Sequence, residues 1–105
     1  MELILNRDNF QKEVLESEIP VLVDFYADWC GPCKMMAPVI NDLASEFAGR
    51  CKIGKCNIDD EMELSRTYKV MSIPTLIVFI DGKPVETMIG GMSKNDLASK
   101  IEKYC

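Results

Sequence analysis

A chain of 105 residues, 48% hydrophobic and 28% charged, builds one hydrophobic core and is too short for two, so a single domain over 1–105 is expected. Its net charge of −5 comes with no basic stripe, which argues against a nucleic-acid partner. No run reaches bilayer-spanning length, and residues 1–10 set Glu2, Arg7 and Asp8 around only three consecutive apolar residues, so neither a membrane partner nor a signal peptide is expected.

In chain order, residues 3–5 suit a short edge strand, after which Asn6 or Asp8 can cap a helix with Phe10, Val14 and Leu15 on its apolar side. Pro20 ends that segment. Residues 21–27 are a nearly continuous apolar, β-branched and aromatic run, the mark of a strand covered on both faces and of the sheet's centre. Met35, Met36, Val39, Ile40, Leu43 and Phe47 recur at helical spacing, predicting a helix over about 33–47, kinked at Pro38 and closed by Gly49. Residues 51–58 read as a third strand, and Asp60 with Glu63 as a capping box for a helix carrying Met62, Leu64 and Tyr68. A strand over 76–80 is joined by Asp81-Gly82 to an antiparallel strand over 85–89, which Gly90-Gly91 ends. Ser93 with Asp96 then caps a last helix bearing Leu97 and Ile101. The order βαβαβαββα predicts an α/β fold, a central mixed β-sheet flanked by helices on both faces.

The chemistry concentrates at Trp29-Cys30-Gly31-Pro32-Cys33-Lys34. With Cys30 at a helix N-terminus and Cys33 one turn along, the Cα atoms are about 5 Å apart, a separation that suits a Cys30–Cys33 disulfide. The positive end of the helix stabilises a thiolate at Cys30. Cys30 is therefore the nucleophile, the more exposed sulfur, and Cys33 the resolving one. Gly31 permits close backbone approach, and Pro32 stiffens the helix start. Zinc is the alternative use of such a pair, but the chain has no histidine, and Cys51 and Cys56 point to opposite faces of one strand, roughly 16 Å apart. No metal is expected.

Asp24 lies inside an apolar strand, where desolvation raises a carboxyl pKa and suits it to accept the Cys33 proton. A strand-edge carboxylate facing solvent is the other reading. Ile73-Pro74-Thr75 by itself reads as an ordinary strand start. Trp29 reads as an exposed aromatic platform, Lys34 as positive potential or a solvated position, and the seven methionines mostly as core filling. Cys51 and Cys56 are expected to pack as small hydrophobes. Cys105, at a mobile and accessible position, is expected to form an intermolecular disulfide or to oxidise reversibly. An odd count of five cysteines favours a reducing, cytoplasmic setting over a secreted disulfide scaffold.

The six residues from Trp29 to Lys34, with Val21-Leu22-Val23-Asp24-Phe25 before them and Pro38, Ile73-Pro74-Thr75, Asp81-Gly82 and Gly90 after them, resemble the active-site pattern of the thioredoxin family. The likeness runs over essentially the whole chain. It implies the thioredoxin fold and a general protein-disulfide reductase, since Gly-Pro between the cysteines is similar to the reducing members. It also implies a cis Ile73-Pro74 bond, a substrate groove of Trp29, Ile73, Pro74 and Gly90, an acidic Asp59 that steadies the Trp29 indole, and Lys55 as a modulator of Asp24. Tyr26 departs from the pattern, which often has tryptophan there. The resemblance further implies no bound cofactor, protein disulfides as substrates, and electrons from a thioredoxin reductase, usually drawing on NADPH through flavin. A monomer is expected. The competing readings are a thioredoxin-fold oxidase or isomerase and a redox-independent accessory binding module.

Overall fold

The apolar run that begins at Val21 forms the middle strand of a five-stranded sheet. The computed structural model describes residues 2–105. Within them, β1 (Leu3–Ile4), β2 (Val21–Tyr26), β3 (Lys52–Asn57), β4 (Thr75–Ile80) and β5 (Lys83–Ile89) lie in the order β1-β3-β2-β4-β5. The β1–β3 and β2–β3 pairs are parallel, while β2–β4 and β4–β5 are antiparallel. The helices are α1 (Gly31–Glu46), α2 (Met62–Thr67) and α3 (Lys94–Glu102), preceded by a π-helical turn at Gln11–Leu15.

Side chains that alternate along β2 explain why its sequence reads as continuously apolar. Leu22 joins Ile40, Leu43, Ile53, Leu76, Leu97 and Ile101 under α1 and α3. Val21, Val23 and Phe25 face the other way, against Leu5, Phe10, Val14, Cys56, Ile77 and Phe79, with Leu64 and Tyr68 of the α2 region packed on them. Both faces are dry, so polar alternation is lost. Cys51 and Cys56 fall in these two opposite clusters, both buried.

Several local expectations are revised. The first helix is a π-turn in which Glu16 N bonds Gln11 O at 2.9 Å, and of the two candidate caps it is Asn6 whose Oδ1 accepts, from Asp8 N and Asn9 N at 2.9 and 3.0 Å. Helix α1 begins at Gly31 rather than near 33, because Cys30 itself caps it and Pro32, lacking an N–H, is tolerated in the first turn. The Asp60–Glu63 capping box does not form. Residue Glu61 occupies the cap of α2 without a side-chain bond, and its carboxylate instead receives Arg7 N at 2.9 Å. By contrast, the Ser93 side chain accepts from Asp96 N at 3.1 Å at the start of α3.

The hairpin turn forms as its sequence requires. Asp81 and Gly82 have φ of 52° and 76°, the left-handed pair that matches the twist of the flanking strands. Pro84 follows at the sheet edge, opposite Phe79, beside a register shift between Val78 and Phe79. An edge strand with a bulge is where a residue without an N–H fits.

Candidate active site

Chain connectivity puts the end of β2, the start of α1 and the start of β4 at one end of the sheet, joined there by the segments that follow β3 and β5. Cys30 is the N-cap of α1, with extended backbone (φ −87°, ψ 114°). Its sulfur accepts the Cys33 N–H at 3.1 Å, one of the donors that a helix start leaves without a partner. Cys30 and Cys33 are joined as a disulfide, with Cα atoms 5.2 Å apart.

Exposure does not separate the two sulfurs. Cys30 is 5% and Cys33 4% accessible, against the expectation that Cys30 is the exposed one; Tyr26, Ile58 and Ile73 pack around both residues and Ala27. What separates them is the helix: the Cys33 amide points at the Cys30 sulfur, while Cys33 lies inside the first turn. An N–H aimed at a sulfur stabilises a negative charge there.

Trp29, 68% exposed, stands beside the disulfide as the open platform its place in a turn suggests. Its Nε1 donates to Asp59 Oδ2 at 2.9 Å, and Asp59 N is held in turn by Asn57 Oδ1 at 2.9 Å. On the other side, the Ile73-Pro74 peptide bond is cis, and the Ile73 carbonyl oxygen lies 3.9 Å from Cys30 Sγ. A disulfide sulfur has no proton to donate, so this is a packing contact. Gly90, at φ 92°, donates its N–H to Pro74 O at 2.9 Å. Pro74 is buried, leaving Trp29, Ile73 and Gly90 as the accessible members of the expected groove.

Asp24 is the second pole of the site. By alternation along β2 it shares a face with Leu22, packed under α1, and with Tyr26, packed on the cysteines. It is 4% exposed, and its Oδ1 is buried with no hydrogen-bond partner among the described residues. Burial, reinforced by the Glu2 carboxylate and opposed by the Lys55 ammonium, raises its pKa from 3.8 to about 7. The solvent-facing reading of Asp24 is therefore excluded.

Lys55 stands opposite Asp24 in the β2–β3 register, but its closest charged partner is elsewhere. Its Nζ lies 3.6 Å from Glu2 Oε1 and 5.5 Å from the centre of the Tyr26 ring. Sequence reasoning missed Glu2. A carboxylate just ahead of a two-residue strand carries no signal in the sequence; it acquires one only when β1 pairs with β3 and sets Leu3 against Gly54 and Ile4 against Lys55.

The methionines are also corrected. Met36 and Met88 are buried, but Met35, Met62 and Met71 are exposed, and Met1 lies outside the described residues. Met35, Met36 and Met92 line a depression of about 330 Å³ with Pro32, Gly91 and Ser93, beside the disulfide. A larger depression of about 450 Å³ is lined by Asp59, Arg7, Glu61 and Glu63 among others, and by no cysteine. Lys34 is solvent-exposed. Among the described residues no group of His, Cys, Asp and Glu is arranged to hold a metal, and no helix is long and apolar enough to cross a membrane.

A pair of cysteines with one sulfur capping a helix, an apolar platform on one side and a buried carboxyl nearby in the sheet, is equipped for thiol-disulfide exchange. Comparison with known sequences agrees. The thioredoxin family model matches residues 2–103. Thioredoxin 1 of Synechococcus elongatus is 46% identical over 95 residues, covering 90% of this chain and 89% of that protein. The thioredoxin of Haemophilus influenzae is 46% identical over 102 residues, 97% of this chain and 95% of its own. A chloroplastic M-type thioredoxin of Spinacia oleracea is 45% identical over 100 residues, 95% of this chain and 55% of the relative.

Proposed function

The chain belongs to the thioredoxin family, and from that premise we propose that Cys30 is the attacking sulfur, Cys33 the resolving one and Asp24 the acceptor of the Cys33 proton. The protein is a dithiol-disulfide oxidoreductase of the thioredoxin fold, and it reduces disulfides through the Cys30–Cys33 pair. The family works without a bound cofactor.

The observation that supports Cys30 as nucleophile is the 3.1 Å approach of the Cys33 amide to its sulfur at the helix N-cap. In the reduced protein that N–H and the helix dipole favour the thiolate on Cys30 over Cys33. The Cys30 thiolate attacks one sulfur of a substrate disulfide, the substrate S–S bond breaks, and the departing thiolate leaves with an electron pair. Cys33 then loses its proton to Asp24, attacks Cys30 Sγ, and expels the second substrate thiolate as the Cys30–Cys33 bond forms. Two electrons have moved from protein to substrate. Holding the second nucleophile one helical turn away makes that step intramolecular.

Residues Gly31 and Pro32 shape the start of α1; Asp59 fixes the Trp29 indole. Trp29, Ile73, Pro74 and Gly90 form the groove that receives an extended segment of the substrate protein. Lys55 and Glu2 set the charge around Asp24. The span 1–105 acts as one domain, in the cytoplasm, as an electron-transport carrier re-reduced by a thioredoxin reductase. Three cysteines left unpaired suit such a reducing compartment.

Insulin reduction with a defined electron donor tests this reading. Cys30→Ser is expected to abolish turnover, and Cys33→Ser to accumulate the mixed disulfide. Retained turnover in Cys30→Ser, or alkylation of Cys33 ahead of Cys30 in the reduced protein at neutral pH, would reverse the assignment.

A further inference from the structure

Cys51 and Cys105 take no part in the exchange at α1, yet the fold brings them together from distant parts of the sequence. Cys51 follows α1, its N–H bonded to Phe47 O at 3.0 Å, and its side chain lies in the core under α1 and α3. Cys105 follows α3, its N–H bonded to Ile101 O at 3.1 Å, and it packs on that same core cluster. Arg50 Nη1 and Glu102 Oε1, 2.9 Å apart, tie the two segments together beside them. Each thiol acts on the other's acidity, while Cys51 Sγ itself lies 3.7 Å from the Lys52 carbonyl oxygen. This differs from the accessible, mobile position that the sequence suggests for Cys105: the residue is half-buried against the cluster that holds Cys51. Cys56 lies across the sheet, in the opposite cluster.

The pair is remote from the active-site disulfide. The 16 residues of α1 separate the two ends by about 24 Å, so neither active-site sulfur of the same molecule reaches it. We propose that Cys51 and Cys105 are a second dithiol, oxidised by a hydroperoxide to an intramolecular disulfide that fastens α3 to the connection between α1 and β3. Cys105, the less buried of the two, attacks the peroxide; its S–O bond forms, the O–O bond breaks, and water or the alcohol leaves, giving a sulfenic acid. The Cys51 sulfur then attacks Cys105, the S–O bond breaks, and water leaves as the S–S bond forms. Two thiols lose two electrons in all, and one peroxide is reduced.

Burial pushes both thiols up, with the Arg50 charge opposing that rise at each. They are therefore poorer nucleophiles at neutral pH than a helix-capping Cys30. The active-site pair consumes the first oxidising equivalents, and the second pair records an excess. Return to the dithiol needs a thiolate from another molecule.

The test uses the full chain, reduced, freed of reductant, exposed to excess hydrogen peroxide, alkylated, and digested with trypsin without reduction. Cleavage after Arg50, Lys52 and Lys103 is expected to release the dipeptide Cys51-Lys52 disulfide-linked to Tyr104-Cys105, and the intact mass to lose a second pair of hydrogens beyond Cys30–Cys33. Cys105→Ser and Cys51→Ser each lose this species and keep insulin reduction at the wild-type rate; Cys56→Ser retains it. Should Cys51→Ser fail to fold, Cys105→Ser alone carries the comparison. Recovery of Cys51 and Cys105 as separate alkylated or sulfinic peptides, or of Cys105 in linked dimers, once Cys30–Cys33 is fully oxidised, overturns the proposal. The insulin assay is a separate readout, so failure here leaves the active-site assignment standing.

Discussion

The proton-accepting role proposed for Asp24 sets catalysis against stability, since a carboxyl buried without a hydrogen-bond partner at Oδ1 resists ionising. Its native pKa of about 7 against an ordinary 3.8 means the folded state binds the proton more tightly than the unfolded chain. Stability from this group is complete below about pH 4, falls as pH rises, and is lost above about pH 7. The gap corresponds to at most about 4 kcal/mol. Asp24→Asn is therefore expected to stabilise the protein by a few kcal/mol at pH 8 and to leave it nearly unchanged at pH 4, measured by urea unfolding at both values. The same variant should slow release of the mixed disulfide, because Cys33 loses the proton acceptor proposed for it. A residue retained at such a cost fits a functional role.

At the scale of elements, the turns are where one atom decides. A Cβ at Gly82 would stand 2.7 Å from the Leu15 carbonyl oxygen, on a backbone at φ 76°; Gly49, at φ 85°, has open space around it. Gly49→Ala is thus expected to cost about 1–2 kcal/mol for backbone conformation alone, and Gly82→Ala clearly more, since backbone must also move. Denaturant midpoints of the two variants check the ordering; equal losses would mean that the β4–β5 turn yields freely against the π-turn. Helix α1 was recognisable from its apolar spacing, and Ser93 from its cap position. The failed Asp60–Glu63 box was not, because whether Glu61 turns to Arg7 depends on a segment 54 residues away.

For the whole molecule, the sheet is clad on both sides, and α3 contributes only Leu97 and Ile101 as fully buried residues. Ile101→Ala should cost about 2–5 kcal/mol, seen as a lower urea midpoint. Because none of the site residues lies on α3, turnover with insulin at 25 °C should persist. Loss of turnover in a folded variant would mean that α3 also holds the active-site end in place.

The linear sequence was enough to determine the α/β order, the central strand, the redox cysteines and the hairpin turn, because each rests on neighbours a few residues apart: a repeat of apolar positions, a helix start, a left-handed pair. Tertiary structure alone decided that β2 and β4 run antiparallel, that Glu2 rather than Asp24 is the nearest partner of Lys55, that both active-site cysteines are buried, and that Cys105 packs against the core cluster that holds Cys51. Those outcomes depend on which surfaces meet once the sheet closes, and desolvation and charge pairing act between residues that sequence distance does not relate.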